Sequence, residues 1–300
     1  MRSRSDREPQ PTKLGIACVY FYGTNAGWIL DLQLKYISST LAGYDYKVYA
    51  GANRLDPELR TRLDAASNVK IVELPWYEGE GNAEHAFYLD QLLRTAADEG
   101  CTHIAALDSD SFPIVPDWPR SLLRRMGSTI RFAAVLRAEN GDTHLPHPCG
   151  YFMHRSFLLE RQPTIYPDER ERSSEHFLRF LSETGQRVDT GIGYGYALWK
   201  SAEPWLQLRR SNRRNPHFLM AGIYGSVFFH VGASSRRPAF YLDYLTRPSL
   251  RVAIRLRNLP LLWRLAAYLE NRYTNRNAEI YSRIAEALKR DPEQFLATLG

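Results

Sequence analysis

The stretch Cys101–Ile114, which reads CTHIAALDSDSFPI, determines how the rest of this 300-residue chain is interpreted. A short apolar run, residues 104–107, ends abruptly in Asp108-Ser109-Asp110. This pattern is typical of a buried strand that carries two carboxylates to the edge of a sheet, where open α/β sheets bind their ligands. Carboxylates at positions i and i+2 suit a hard cation such as Mg2+ or Mn2+ beside a diphosphate. A solvated turn that closes the strand is the simpler alternative, because Asp and Ser are common turn residues.

The region upstream of this strand predicts an alternating α/β arrangement. Residues 83–100 form a helix in this prediction, since apolar residues recur at helical spacing, Asn82 is a suitable N-cap and Gly100 is placed to end the helix. Strands are predicted before it at 14–22, 46–50 and 69–73, with helices at 28–41 and 56–66. Strands that alternate with helices indicate a parallel sheet covered by helices.

His85, Leu89 and Asp90 on this helix, followed by Asp108-Ser109-Asp110, form a pattern found in a known family. Over residues 14–118 the chain resembles the GT-A fold glycosyltransferases, nearest to bacterial glycosyltransferase family 2. The resemblance implies an α/β fold of the GT-A (nucleotide-diphospho-sugar transferase) type. This is a Rossmann-like mixed sheet flanked by helices, here with a C-terminal helical extension. It also implies a nucleotide-sugar donor, UDP-, GDP- or dTDP-linked, whose diphosphate is bound through Mn2+ or Mg2+.

The resemblance sets the expected reaction and domain organisation. Asp110 is expected to bind the metal directly, and Asp108 to assist it or contact the ribose. A sugar would pass to a hydroxyl of a glycan, a lipid-linked glycan or a small molecule. We expect inversion, with a base opposite the leaving group; without such a base, retention becomes possible. We expect a disordered tail (1–12), a catalytic domain (13–240, with a donor half 13–118 and an acceptor half 119–240) and a C-terminal helical extension (241–300).

The loops after the first two strands are expected to hold the nucleotide, together with positions given by the resemblance. The proposed cofactor-binding residues are Phe21, Tyr22, Asn25, Asn53, Arg54, His85, Asp90, Asp108 and Arg236. Aromatic rings can stack on a base and an asparagine can hydrogen-bond to it. Phe21 and Tyr22 are equally suited to packing at the end of the strand.

A later apolar run, residues 227–229, ends in His230 and is followed by basic residues. Several GT-A families complete the metal site with a C-terminal histidine, so the resemblance implies the ligand set Asp108, Asp110 and His230. It also places Arg236 or Arg237 beside the diphosphate, where a guanidinium can bind two oxygens. A lone histidine hydrogen-bonded at a strand end is the alternative.

Asp189 opens the segment VDTGIGYGYALW, which predicts a loop that leads into a helix. The resemblance implies that Asp189 is the general base for the acceptor hydroxyl, although the family often has Glu-Asp where this chain has Val-Asp. A helix N-cap is the alternative role, and the alternative bases are Glu139, Asp142 and Glu175. Close approach of an acceptor sugar, or a flexible turn, would explain the alternating glycines Gly191, Gly193 and Gly195.

Four residues, His144, His147, Cys149 and His154, raise the question of zinc. Their spacing, H-x2-H-x-C-x4-H, matches no standard structural zinc pattern and two prolines interrupt it, so we expect a loop with incidental histidines. The three widely spaced cysteines give no disulfide framework and fit a reducing compartment. We therefore expect a cytoplasmic protein.

The net charge of +6 and the pI of about 9.2 are compatible with nucleic acid, an anionic membrane or phosphorylated substrates. Nucleic acid is not expected, because the chain carries none of the usual motifs. A basic amphipathic segment at 251–265 predicts either peripheral contact with the inner face of a membrane, where lipid-linked acceptors reside, or packing on the catalytic domain. The last helix is predicted over 278–299.

Two other functions are compatible with the same motif. A haloacid-dehalogenase-type phosphatase would use Asp108 as nucleophile and Asp110 as acid/base, but its motif usually lies near the N-terminus. A catalytically inert GT-A binding protein would keep the fold without transferring a sugar.

Overall fold

The computed structural model describes residues 13–21, 26–79, 81–232 and 262–300, and the observations below concern these residues. The strands are β1 (Leu14–Val19), β2 (Tyr46–Gly51), β3 (Val69–Ile71), β4 (His103–Asp108), β5 (Ser111–Pro113), β6 (Phe132–Leu136), β7 (His147–His154), β8 (Leu206–Arg209), β9 (Gly222–Tyr224) and β10 (Phe228–His230). The helices are α1 (Gly27–Thr40), α2 (Pro57–Asp64), α3 (Asn82–Asp98), α4 (Trp118–Met126), α5 (Arg155–Arg161), α6 (Glu169–Arg172), α7 (Glu175–Thr184), α8 (Ile192–Ser201), α9 (Trp263–Arg290) and α10 (Pro292–Leu299). Seven strands form one sheet in the order β3-β2-β1-β4-β7-β6-β8, and a smaller sheet has the order β5-β10-β9.

The first half of the larger sheet is parallel, as the sequence predicts. β1 pairs with β2 on one side and with β4 on the other, and Val19 lies level with both Gly51 and Asp108. These three strands therefore end together at one edge of the sheet. All six residues of β1 are buried, which explains why it is continuously apolar rather than alternating.

Helix α3 follows the predicted course but begins differently. The N-cap is Gly81, at φ +67°, and no side chain caps the helix, so the prediction that Asn82 is the N-cap is wrong. Glycine adopts positive φ without steric cost, which lets the chain enter the helix one residue earlier. At the other end Gly100 has φ +79°, so the predicted glycine stop is confirmed.

Strand β7 lies between β4 and β6 and runs antiparallel to both. Its first residues therefore lie at the same edge as the last residues of β4 and β6. The predicted loop with incidental histidines is wrong here, because β7 begins at His147 and all but its last residue are buried. Proline has no N–H and cannot donate a hydrogen bond to a neighbouring strand. Pro148 is accommodated because the register between β7 and β6 shifts between Ala134 and Val135, so no such bond is required there.

The smaller sheet brings a distant part of the chain to the same edge. β10 pairs antiparallel with β5, which places His230 opposite Ser111, and the backbone N–H of Val231 donates to the carbonyl oxygen of Asp110 (3.0 Å). His230 therefore lies beside the Asp108-Ser109-Asp110 turn although more than a hundred residues separate them in sequence.

The C-terminal region contains two helices where one was predicted. α9 ends before Asp291, whose side chain accepts from the N–H of Gln294 and caps α10, and Pro292 cannot continue the preceding helix. Ile284, Leu288 and Leu299 pack in one core cluster with residues of α1 and β10. No described helix is long and apolar enough to cross a membrane.

The fold class predicted from the sequence is confirmed: a mixed α/β sheet is flanked by helices and followed by C-terminal helices. The predicted tail (1–12) and most of the basic segment at 251–265 lie outside the described residues.

Candidate functional site

A buried glutamine holds the turn that carries the two aspartates. Gln33 of α1 is fully buried, and its Nε2 donates to the carbonyl oxygens of Asp108 (2.8 Å) and Ser111 (2.7 Å). Its Oε1 accepts from the hydroxyl of Tyr20 (2.8 Å). One amide thus ties α1 and the end of β1 to the turn, using both of its donor hydrogens. The sequence analysis did not identify Gln33, and a polar residue on the apolar face of a helix was the only signal.

Asp108, Asp110 and His230 converge at the end of β4. His230 Nε2 lies 3.2 Å from Asp110 Oδ1 and 3.7 Å from Asp108 Oδ2. Asp110 and His230 are 4% and 5% exposed, so these charges face one another largely out of water. The three side chains that the resemblance assigned to the metal are therefore neighbours in the fold.

The electrostatics of this group reflect its burial. Burial raises the pKa of Asp108; His85 and His230 oppose this effect, while the Asp110 carboxylate adds to it. Burial lowers the pKa of His230, but Asp110 and Cys149 raise it, and the resulting pKa lies well above the usual range for histidine. The Asp110 carboxylate and Cys149 thus favour a positive charge on His230.

The residues present fit a divalent cation. One ligand atom from each of Asp108, Asp110 and His230 lies within 4.8 Å of the others. Carboxylate oxygens and an imidazole nitrogen are donors for Mg2+, Mn2+ and other divalent metals. A bound ion would also neutralise the carboxylates that the protonated histidine otherwise balances.

Two further donors lie at the same edge, and the sequence analysis did not assign them to the site. The first residues of β7 place His147 Nδ1 3.8 Å from Asp108 Oδ2, and the imidazole centroids of His147 and His230 are 5.9 Å apart. Cys149 is fully buried beside them and affects the pKa of His230. The antiparallel course of β7, which the sequence did not predict, brings them here.

Of the predicted nucleotide residues, His85 lies beside the cluster and Phe21 lies beside His85. His85 Nε2 lies 3.9 Å from Asp108 Oδ1, and the ring of Phe21 lies 6.2 Å from the ring of His85. Asn53 Nδ2 donates to the carbonyl oxygen of Leu74 (3.0 Å), so its amide supports the chain there.

Arg54 contacts two neighbouring side chains, Glu84 and Trp76. Its Nε lies 2.8 Å from Oε1 of the buried Glu84, and its guanidinium lies 5.1 Å from the ring centre of Trp76. Trp76 is 64% exposed, which leaves its ring accessible to solvent. Tyr22, Asn25 and Arg236, also predicted to bind the nucleotide, lie outside the described residues.

Asp90 occupies a supporting position. Both of its carboxylate oxygens accept from the backbone N–H of Ile165 (3.1 Å). Burial raises the pKa of Asp90 to about 7, and the Ile165 N–H and the charge of Arg94 only partly oppose this. Its described contacts are therefore with the loop at Ile165 and not with the aspartate turn.

Asp189 is linked to the cluster through an arginine that directly follows β6. Arg137 Nη2 lies 3.4 Å from Asp189 Oδ2, and Arg137 Nε lies 3.4 Å from Asp142 Oδ2. Asn82 Nδ2 donates to Asp189 Oδ1 (3.0 Å). Arg137 is only 11% exposed and its charge also acts on Asp108. The sequence analysis did not identify Arg137.

Asp189 is not a helix cap. The cap of α8 is Gly191, at φ +101°, and no side chain caps this helix, so the N-cap alternative for Asp189 is wrong. The side chain of Asp189 is 39% exposed, and it can therefore be reached from solvent.

The alternating glycines have a different explanation from the one expected. A Cβ on Gly191, Gly193 or Gly195 would lie 2.0 Å from the carbonyl oxygens of Pro146, Thr164 and His144, respectively. These glycines let α8 pack closely against the backbone of two loops. The expectation that they accommodate an acceptor sugar or a flexible turn is therefore replaced by close helix packing.

Two of the alternative bases lie in other surroundings. Glu139 Oε1 accepts from the hydroxyl of the buried Tyr224 (2.6 Å) and lies 3.8 Å from Arg210 Nη1. Glu175 is the exposed first residue of α7. Asp142 alone shares Arg137 with Asp189, and burial raises the pKa of Asp142.

No protein-family model matches the chain, and no curated protein matches it. Among solved structures, it is similar to a cytidylyltransferase from Leptospira borgpetersenii (13% identity over 71% of this chain and 81% of that chain, TM-score 0.41). It is also similar to S. aureus TarS 1–349 (10% identity, 90% and 70%, TM-score 0.42). A third is the mannosyltransferase PcManGT from Pyrobaculum calidifontis in complex with GDP-Man and Mn2+ (14% identity, 99% and 81%, TM-score 0.39).

These similarities do not decide the family, so the GT-A glycosyltransferase resemblance stated from the sequence and the assignment to family 2 both stay predictions. Their low identities and TM-scores mean that no activity is transferred to this chain from them. The case for function rests on the arrangement of the side chains described above.

Proposed function

We propose that this chain is a metal-dependent glycosyltransferase that transfers a sugar from a nucleotide-diphosphate donor to a hydroxyl acceptor. The observation that carries the proposal is the convergence of Asp108, Asp110 and His230, from two separate sheets, at the edge where the parallel strands end. A set of buried acceptors of this kind is suited to a cation, and the edge itself is where ligands of α/β sheets bind.

The donor diphosphate would lie over this edge. Asp108, Asp110 and His230 would hold Mn2+ or Mg2+, which as a Lewis acid supplies stabilisation of the negative charge on the departing nucleoside diphosphate. His85, at 3.9 Å from Asp108, would contact ribose or phosphate oxygens. Phe21 would pack at the nucleoside, and Arg54 with Trp76 would border the same side.

Asp189 would act on the acceptor. It is accessible, and Asn82 and Arg137 hold its two carboxylate oxygens in a fixed orientation. As the acceptor hydroxyl attacks the anomeric carbon, Asp189 would take the hydroxyl proton, the new glycosidic bond would form, and the bond to the nucleoside diphosphate would break. Attack opposite the leaving group inverts the anomeric configuration.

Thermal-shift measurements test the donor site. Purified protein would be screened against UDP, GDP and dTDP with Mn2+, with Mg2+ and with a chelator. A ligand that binds the native state raises the melting temperature, so we expect one nucleotide to produce a metal-dependent shift. Asp110→Asn should abolish this shift. Glu175→Gln, which changes an exposed acid on α7, should retain it.

The other outcomes have definite meanings. No shift with any nucleotide, in a folded protein, would contradict the donor site and favour the phosphatase. Nucleotide binding without release of nucleoside diphosphate from any nucleotide-sugar would favour a binding protein that keeps the fold without catalysis.

We also propose that the acceptor can be a lipid-linked glycan reached from an anionic membrane surface on the cytoplasmic side. Trp263, Leu265 and Tyr268, near the start of α9, are 52%, 48% and 59% exposed, and Arg264 lies among them. Exposed aromatic and basic side chains favour an anionic interface. Vesicles with anionic lipid should bind the protein and neutral vesicles should not. Trp263→Ser should weaken binding, and equal binding by both proteins would contradict the idea.

A further inference from the structure

A second group of metal donors shares Asp108 with the set already described. One ligand atom from each of Asp108, His147 and Cys149 lies within 4.8 Å of the others. Both His147 and His230 approach the same oxygen, Asp108 Oδ2, at 3.8 and 3.7 Å. The two groups therefore meet at one carboxylate oxygen, and the side chain of Cys149 in the second group also contacts His230 of the first.

The chemistry of the two groups differs. The first offers two carboxylates and an imidazole, whereas the second offers one carboxylate, one imidazole and a thiol. A thiolate is a soft ligand, and with imidazole and carboxylate it suits Zn2+ or Co2+ better than Mg2+ or Mn2+. Cys149 is fully buried and His147 is 8% exposed, so neither donor needs to be recruited from the surface.

The start of β7 holds these two donors close together. His147 and Cys149 are two residues apart where the register with β6 is irregular, and one ligand atom from each lies within 4.8 Å of the other. The backbone N–H of Cys149 donates to His147 Nδ1 (3.2 Å), which fixes the imidazole with that nitrogen on the Asp108 side. This hydrogen bond is at the long end of the usual range, and a bound ion would replace it.

We propose that Asp108, His147 and Cys149 form a second metal half-site, specific for a borderline-soft ion such as Zn2+ and bound through the Cys149 thiolate. Binding forms a metal–sulfur bond and releases the thiol proton to solvent, with no change in oxidation state. The proposal of a half-site depends on these three donors and not on sugar transfer. An experiment can therefore contradict the half-site without contradicting the proposed function, and the reverse.

Absorption spectroscopy with Co2+ tests the half-site directly. Co2+ is added to full-length protein that has been freed of metal by chelation. A thiolate bound to Co2+ gives a ligand-to-metal charge-transfer band in the near ultraviolet, which oxygen and nitrogen ligands do not give. We expect this band in the wild type and its removal by Zn2+, and we expect Cys149→Ser to eliminate it. A wild type without the band would overturn the proposal.

Three further variants keep the test independent of folding and of the donor site. His147→Gln retains the thiol and should weaken Co2+ binding by about 10-fold or more, since even outer partners of metal ligands contribute that much. Asp110→Asn should lose Mn2+ affinity, measured by electron paramagnetic resonance, yet keep the Co2+ band. Cys101→Ser, which changes a buried cysteine elsewhere, is the matched control. A band that survives in Cys149→Ser but disappears in Cys101→Ser would overturn the assignment.

Discussion

Two buried clusters of charged side chains lie at the ends of neighbouring strands, and they differ in how their charges are satisfied. The first is the aspartate–histidine cluster (Asp108, Asp110, His147, Cys149 and His230), in which carboxylate, imidazole and thiol groups lie close together. In the second, the arginine–glutamate cluster (Glu139, Arg210 and Tyr224), a permanent cation is already present.

The arginine–glutamate cluster is closed. Arg210 donates to the carbonyl oxygens of His217 (2.9 Å), Met220 (2.8 Å) and Ala221 (3.3 Å), and it also lies near Glu139. A buried charge that is both paired and hydrogen-bonded to backbone has little left to offer a ligand. Its evident effect is to fix the loop that leads into β9.

The aspartate–histidine cluster as defined contains no arginine or lysine, although the charge of Arg137 acts on Asp108 from outside it. Its own positive charge depends on the protonation of His230, whose pKa is raised by Asp110 and Cys149. A proton can be exchanged for a metal ion, whereas a guanidinium cannot leave. We therefore expect the cluster whose cation is exchangeable to bind metal, and the cluster whose cation is permanent to act only as a structural ion pair.

The largest expected effect concerns Asp189, which lies at the border of the aspartate–histidine cluster through Arg137. Asp189→Asn should lower kcat by about 10²–10⁴-fold, because a well-placed general base contributes that much. Nucleoside diphosphate release from the nucleotide-sugar identified by thermal shift provides the measurement. The metal-dependent thermal shift should be unchanged, since Asp189 is not among the metal donors. Glu175→Gln is the control, and full activity of Asp189→Asn would show that the base lies elsewhere.

Part of the aspartate–histidine cluster could be predicted from the sequence, whereas His147 and Cys149 could not. Asp108 and His230 each end an apolar run, a local signal that marks a strand end at the edge of a sheet. His147 and Cys149 instead begin a strand, and their relevance depends on β7 running antiparallel between β4 and β6. Strand direction is set by long-range pairing, which local periodicity does not encode.

The same reasoning explains the residues that were missed or misread. Arg137 and Gln33 act through contacts with residues about 50 and 75 positions away. The alternating glycines at α8 were predicted to accommodate a sugar or a turn. Their close packing was missed because the carbonyl groups they approach belong to loops that only folding brings near.

A second prediction concerns Asp90, a carboxylate whose burial outweighs the opposing effects of the Ile165 N–H and the Arg94 charge. Burial raises the pKa of Asp90 from 3.8 to about 7. Because the folded state holds this proton more tightly than the unfolded chain, the stability it provides is present below pH 4 and is lost as the pH rises through 7. Asp90→Asn should remove this decline, which is at most about 4 kcal/mol by the linkage of pKa to stability.

Urea unfolding between pH 4 and pH 8 measures the effect of Asp90. The difference in unfolding free energy between Asp90→Asn and the wild type should grow in favour of the variant as the pH rises. A constant difference across this range would mean that Asp90 is ionised throughout. Such a result would mean that burial does not raise the pKa of Asp90.

A third prediction tests whether the aspartate–histidine cluster depends on a rigid turn. Gln33→Leu removes the two hydrogen bonds to the carbonyl oxygens of Asp108 and Ser111. Mn2+ affinity should fall by about 10–100-fold, the usual cost of losing a group that orients metal ligands. Tyr20→Phe is the matched control, since it removes the hydroxyl that donates to Gln33 and leaves both carbonyl bonds. Equal losses in the two variants would indicate general destabilisation.

The smallest effect is expected in the arginine–glutamate cluster, and it should be one of stability alone. Glu139→Gln keeps an oxygen that can accept from Tyr224 but removes the negative charge near Arg210, so the free energy of unfolding should fall by about 1–3 kcal/mol. Urea unfolding measures this loss, and Mn2+ affinity and nucleotide-dependent thermal shift should match the wild type. Tyr224→Phe, which removes only the hydroxyl, should behave in the same way. If Glu139→Gln instead weakened Mn2+ binding with little change in stability, the closed cluster would be part of the binding site, and the distinction between permanent and exchangeable cations would not hold.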